Sequence, residues 1–157
     1  MEVGIHANMV DRKTAHVADA LHPTLEKLSR GLGGEYGGVM EHLWIDLELI
    51  ESYARRDGGP LHRFRFAKRV SGRSPHGLPP LPDSFNVAHY SVRPDFEHIA
   101  SLSGHRIGEY ALALIYASTE VLVAKQKRLG GFNAQLFQER FLKVCEELGG
   151  PIPTTPR

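Results

Sequence analysis

The chain has 157 residues, of which 41% are hydrophobic, enough for one domain with one ordinary core. Nineteen Lys plus Arg against eighteen Asp plus Glu leave a net charge of +1, which excludes a whole-molecule field favouring nucleic acid or an anionic membrane. A single cysteine, Cys145, excludes an internal disulfide and any CxxC metal site.

The opening MEVGIHANMVDRK lacks a basic segment followed by an apolar one, and no apolar run approaches bilayer-spanning length, so the cytoplasm is the expected compartment. Val10, Thr14, Val17, Leu21, Leu25, Leu28 and Leu32 recur at spacings of three and four, predicting a helix from Asp11 to Arg30. Pro23 removes the amide that would bond to Asp19, so a kink or break is expected there, and Gly31, Gly33 and Gly34 end the segment.

Residues 39 to 50, VMEHLWIDLELI, alternate with a period of two and predict the first strand. Leu43, Ile45, Leu47 and Leu49 share one face; His42, Trp44, Asp46 and Glu48 share the other. LHRFRFAKRV, residues 61 to 70, predicts a second strand, with His62, Phe64 and Phe66 on one side and Arg63, Arg65 and Arg69 on the other. The turn residues Asp57, Gly58, Gly59 and Pro60 between them predict an antiparallel hairpin. Opposing Ile50 to Leu61 would set Glu48 against Arg63 and Asp46 against Arg65, leaving both faces self-consistent.

The stretch 71–86, with four prolines, cannot continue a sheet and reads as a long loop. NVAHYSVRP predicts a third strand, with Ala88, Tyr90 and Val92 inward and His89, Ser91 and Arg93 outward. A short helix follows Pro94, then a long one from His105 to Leu129, ended by Gly130 and Gly131. Asn133 is placed to cap the last helix, with Phe132 and Phe137 as its hydrophobic staple and Phe141, Val144, Cys145 and Leu148 on its inner face. PIPTTPR, residues 151–157, reads as a flexible tail after one globular unit over 1–150. The expected fold class is α+β: an N-terminal helix, a three-stranded antiparallel meander, and C-terminal helices packed on one sheet face.

One predicted sheet face therefore collects His42, Trp44, Asp46, Glu48, Arg63, Arg65, Arg69, His89 and Arg93. Carboxylates beside arginines on a wet face form ion pairs as a matter of course. A tryptophan there leaves a large apolar surface for a loop or a partner to cover, and tryptophan with arginine is hot-spot chemistry at protein interfaces. A catalytic reading would draw an acid and a base from Asp46, Glu48, His42 and His89, with arginines holding an anionic substrate. His42, His62 and His89 do not make a metal site, because His62 falls on the opposite face from His42, and no HExxH or HxH spacing occurs. The glycine groups lack GK[ST] and read as helix stops, and KQKR at 125–128 complements a helix C-terminus. Neither a cofactor nor a resident metal is expected.

LWIDLELIE, FRFAKRV, NVAHYSVRPDF and the passage of a long helix through KRLGGFNAQLF into a last helix together resemble small cytosolic immunity proteins of bacterial toxin systems. The resemblance is one of layout across most of the chain. It implies a protein that binds and occludes a cognate protein toxin, without chemistry of its own, and the Trp44 face read from the residues is compatible with that role. The competing classes are a small hydrolase or nuclease using Asp46 or Glu48 with Arg63 and Arg65, and a secretion chaperone or adaptor.

Overall fold

A computed structural model describes residues 1–9, 15–49, 60–69 and 85–149. In chain order the elements are β1 (Glu2–Met9), α1 (Ala15–Leu32), β2 (Met40–Leu49), β3 (Leu61–Arg69), β4 (Phe85–Arg93), α2 (Phe96–Ser101), α3 (His105–Ala124) and α4 (Ala134–Glu147), with a short 3-10 turn (Gln126–Arg128) before the last. The fold is α+β. The sheet, however, has four strands in the order β1-β2-β4-β3, and the expected antiparallel meander is not formed. β1 pairs parallel with β2, β2 pairs parallel with β4, and only β3 runs antiparallel to its neighbour β4.

Two corrections account for the difference. The first is β1, which the sequence reading left unassigned although Val3, Ile5 and Ala7 alternate with Glu2, Gly4, His6 and Asn8. The second is adjacency: the chain does reverse direction between β2 and β3, but β4 lies between them. Burial explains that choice. β4 is buried on both faces, with Val87, Ala88, Tyr90, Ser91 and Val92 all nearly inaccessible, whereas β3 carries Arg63, Arg65, Lys68 and Arg69. Charged residues suit an edge strand and a doubly buried strand suits the centre.

The inward face of the sheet meets the helices. Ile5, Leu43, Ile45, Leu47, Ala88, Tyr90 and Val92 join Leu21, Leu25 and Leu28 of α1, Leu114 and Ile115 of α3 and Phe137 and Phe141 of α4 in one apolar cluster. α1 continues through Pro23 without the expected break. Both Asp19 and Pro23 are exposed, so the carbonyl freed by the proline can turn to water. α3 stops at Ala124, short of the expected Leu129. Its length and mean hydropathy of 1.4 would suffice to cross a bilayer, which the sequence reading did not credit; half of that stretch is buried within the fold, as in a core helix.

The last helix starts as its sequence specifies. Asn133 accepts a hydrogen bond from the Leu136 N–H at 3.1 Å, and the inaccessible rings of Phe132 and Phe137 lie 5.8 Å apart. Leu148 departs from its expected inward position and is 38% exposed. Asp95, rather than Pro94, begins α2: its side chain accepts from His98 N–H at 3.2 Å.

The two glycine groups do more than stop helices. The 31–38 and 128–131 segments cross with their backbones in contact, so that a Cβ on Gly38 (φ 74°) would collide with Gly130 O and the Phe132 amide. Val39 N–H donates to Gly130 O, and Asn133 N–H to Tyr36 O. This crossing also finishes one side of the sheet. Met1 and Gly34 exchange backbone hydrogen bonds, and Ser29 Oγ of α1 accepts from the Ile5 N–H at 2.9 Å. The outer side of β1 is thus partly satisfied by neighbouring segments. The expected Asp57 to Pro60 turn lies mostly, and the 71–86 loop almost wholly, outside the described residues, as do the 151–157 tail and the Arg69 side chain.

Candidate functional site

The helices cover one face of the sheet, and the register arranges the other in rows. Gly4, Trp44, His89 and Arg65 stand side by side across four strands; the adjacent row is His6, Asp46, Ser91 and Arg63. Alternation along each strand places these side chains opposite the buried Leu43, Ile45 and Tyr90. Eight of the nine residues expected on this face can be located there: His42, Trp44, Asp46, Glu48, Arg63, Arg65, His89 and Arg93. His62 lies on the helical side, as its parity requires, where Nδ1 shares a 2.5 Å hydrogen bond with Tyr90 OH.

The expected ion pairs are not those observed. Because β4 intervenes, Glu48 pairs with Arg93, with Oε2 2.8 Å from Nε, and Asp46 Oδ2 lies 2.5 Å from His89 Nε2. The pairings with Arg63 and Arg65 would have to span two strand spacings, about 9.5 Å. Among the described residues neither arginine meets a carboxylate, and both are exposed.

Trp44 is 38% exposed at the middle of its row. His42 is tilted beside it, with ring centroids 6.1 Å apart, and its Nδ1 lies 3.3 Å from Glu2 Oε2. Gly4 leaves a notch on the other side: a Cβ there would come within 2.9 Å of His6 Nε2 and 3.1 Å of Trp44 Cδ1. The imidazole of His6 folds into that space. Sequence reasoning missed Glu2, Gly4 and His6 because Gly4 and Asn8 obscured an alternation whose apolar half, Val3, Ile5 and Ala7, was nonetheless present.

Chemically, this face is a platform of aromatic rings bordered by hydrogen-bonded carboxylates and by two cations, Arg63 and Arg65, that meet no carboxylate among the described residues. The Asp46 and His89 contact could orient an imidazole for proton transfer. Ser91, which lies beside Asp46 in the register, makes no hydrogen bond to His89, so no nucleophile is poised there. No group of three His, Cys, Asp or Glu side chains among the described residues could hold a metal ion.

Away from the sheet face, a concavity of about 280 Å³ opens between α1, α3 and α4, lined by residues including Lys27, His105, Glu109, Leu112 and Cys145. Its cysteine is not an available nucleophile. Cys145 is 2% exposed and burial pushes its thiol up to about 11, so it is protonated at neutral pH. The sheet's open face is therefore the stronger candidate. Comparison with family models, curated proteins and solved structures finds no match.

Proposed function

We propose that this chain is a binding protein that neutralises a cognate bacterial toxin in the cytoplasm by covering it, an immunity protein that performs no reaction. The observation that carries this reading is an exposed Trp44 on a face whose carboxylates Asp46 and Glu48 are already engaged by His89 and Arg93. An apolar anchor surrounded by oriented polar groups suits protein recognition, whereas acid-base chemistry needs carboxylates and imidazoles held ready for a substrate. Here Glu48 is held by Arg93 and Asp46 by His89. The mixed charge would orient the partner, and Trp44 with His6 and His42 would provide the desolvated centre.

The test is a pull-down from the source cell with the tagged chain and with Trp44→Ala, with partners identified by mass spectrometry and their affinity measured by calorimetry. One stoichiometric toxin-domain partner is expected, bound about 2 kcal/mol more weakly by the variant. Unchanged affinity would remove Trp44 from the interface. A hydrolase or nuclease is the second reading, favoured by the short Asp46 to His89 contact. It requires turnover of a phosphodiester or ester substrate that Asp46→Asn abolishes.

A further inference from the structure

β3 lies at the end of the strand order, and among the described residues it pairs with β4 alone. Its residues LHRFRFAKR include four cations besides His62 and no carboxylate. Arg63 and Arg65 project from the open face without an acidic partner among the described residues, because the two carboxylates nearest in the register are held by Arg93 and His89. On the opposite side Phe64 is only half-buried, with Lys125 Nζ 5.4 Å from its ring centroid. An edge strand left in this state offers backbone hydrogen bonds, two cations on one side and an apolar ring on the other.

A second copy of the chain is the wrong occupant. Antiparallel pairing of β3 with itself would set Arg63 against Arg65, or Arg65 against Arg65, and like charges directly opposite one another are destabilising. An acidic strand turns that penalty into attraction. We infer that the β3 edge takes an extended acidic segment of a protein partner as a fifth strand, with carboxylates alternating toward Arg63 and Arg65 and apolar side chains toward Phe64. Main-chain hydrogen bonds would supply affinity and the alternation would supply selectivity. This rests on the binding reading above and extends it from the Trp44 face to the sheet edge.

The probe is a synthetic octapeptide alternating Glu and Val, compared with its Lys and Val counterpart, each at millimolar concentration. Amide hydrogen exchange is followed residue by residue in the full chain by NMR. The acidic peptide should slow exchange of β3 amides at least tenfold, less so as salt rises, while the basic peptide leaves them unchanged. Arg63→Glu with Arg65→Glu, checked for folding by circular dichroism, should reverse the preference.

No slowing at β3, equal slowing by both peptides, or sedimentation of the chain as a β3-paired dimer would overturn the inference. Trp44→Ala separates it from the face reading. If that variant loses its natural partner while the acidic peptide leaves β3 unprotected, the face stands and the edge proposal falls. If it keeps the partner and the peptide still protects β3, the edge stands and the face reading falls.

Discussion

β1 and β3 bound the same sheet and are finished in different ways. Along β1, Ser29 satisfies the Ile5 amide and Gly34 exchanges two hydrogen bonds with Met1. Along β3 the finish is electrostatic: Arg63 and Arg65 repel a like strand without occupying the edge. A covered edge contributes to stability, whereas a charged edge keeps its backbone groups accessible and chooses among visitors. Substitutions on the two sides should accordingly differ in kind, β1-side changes lowering the melting temperature and β3-side changes altering recognition.

The largest expected effect lies where the covered side is anchored. Gly38→Ala forces a Cβ into Gly130 and Phe132 at a φ of 74°, and should lower unfolding free energy by about 3 kcal/mol or more in urea titration. A variant as stable as the parent would show that the two glycine segments can part freely. Ser29→Ala comes next, at about 1 to 2 kcal/mol, with faster exchange of the Ile5 amide, because a backbone donor loses its acceptor.

Tyr90 tests how the open edge is held from inside, since its hydroxyl bonds His62 of β3. Burial pushes its phenol up to about 12. An unfolded tyrosine ionises near about 10, so the stabilising contribution of the neutral form is fully present below that pH and is lost as pH rises toward about 12. Thermal melts across this window should fall less steeply for Tyr90→Phe than for the parent; at neutral pH the variant should be weaker by about 1 kcal/mol. Equal alkaline slopes would remove Tyr90 as the titrating group.

The smallest stability change belongs to the arginines. Arg63→Glu with Arg65→Glu should shift unfolding free energy by no more than about 0.5 kcal/mol, since both side chains are exposed. A loss of several kcal/mol would mean that β3 depends on these cations for its own folding, and the contrast between the edges would disappear.

The sequence made faces legible more readily than neighbours. Leu43, Ile45 and Leu47 against Trp44, Asp46 and Glu48 could be sorted by a period of two, and the same rule placed His62 apart from His89. Which strand lies beside which is a long-range choice, and a short turn signal at Asp57 to Pro60 argued for the wrong neighbour. The information that decides it was nonetheless present: VAHYSV carries small or apolar residues on both of its sides, as a central strand flanked by two others does, while LHRFRFAKR is too cationic to be one. The pairing of Glu48 with Arg93 followed from that ordering and was not available from local pattern. Asn133, Phe132 and Phe137 show the opposite case, a helix start encoded within a few residues and formed as encoded.

β4 has one further consequence, in the order of synthesis. It is hydrogen-bonded on one side to β2 and on the other to β3, so a nascent chain that has delivered β1, α1, β2 and β3 still lacks the strand that joins them. Until residue 93 emerges, the inner edge of β2 and its Leu43, Ile45 and Leu47 face have no sheet partner on that side. Such distant pairing slows folding and lengthens the interval in which strands can associate between chains. A ribosome-bound chain ending at residue 84 should therefore remain protease-sensitive, and acquisition of resistance should await β4 and the helices that follow it.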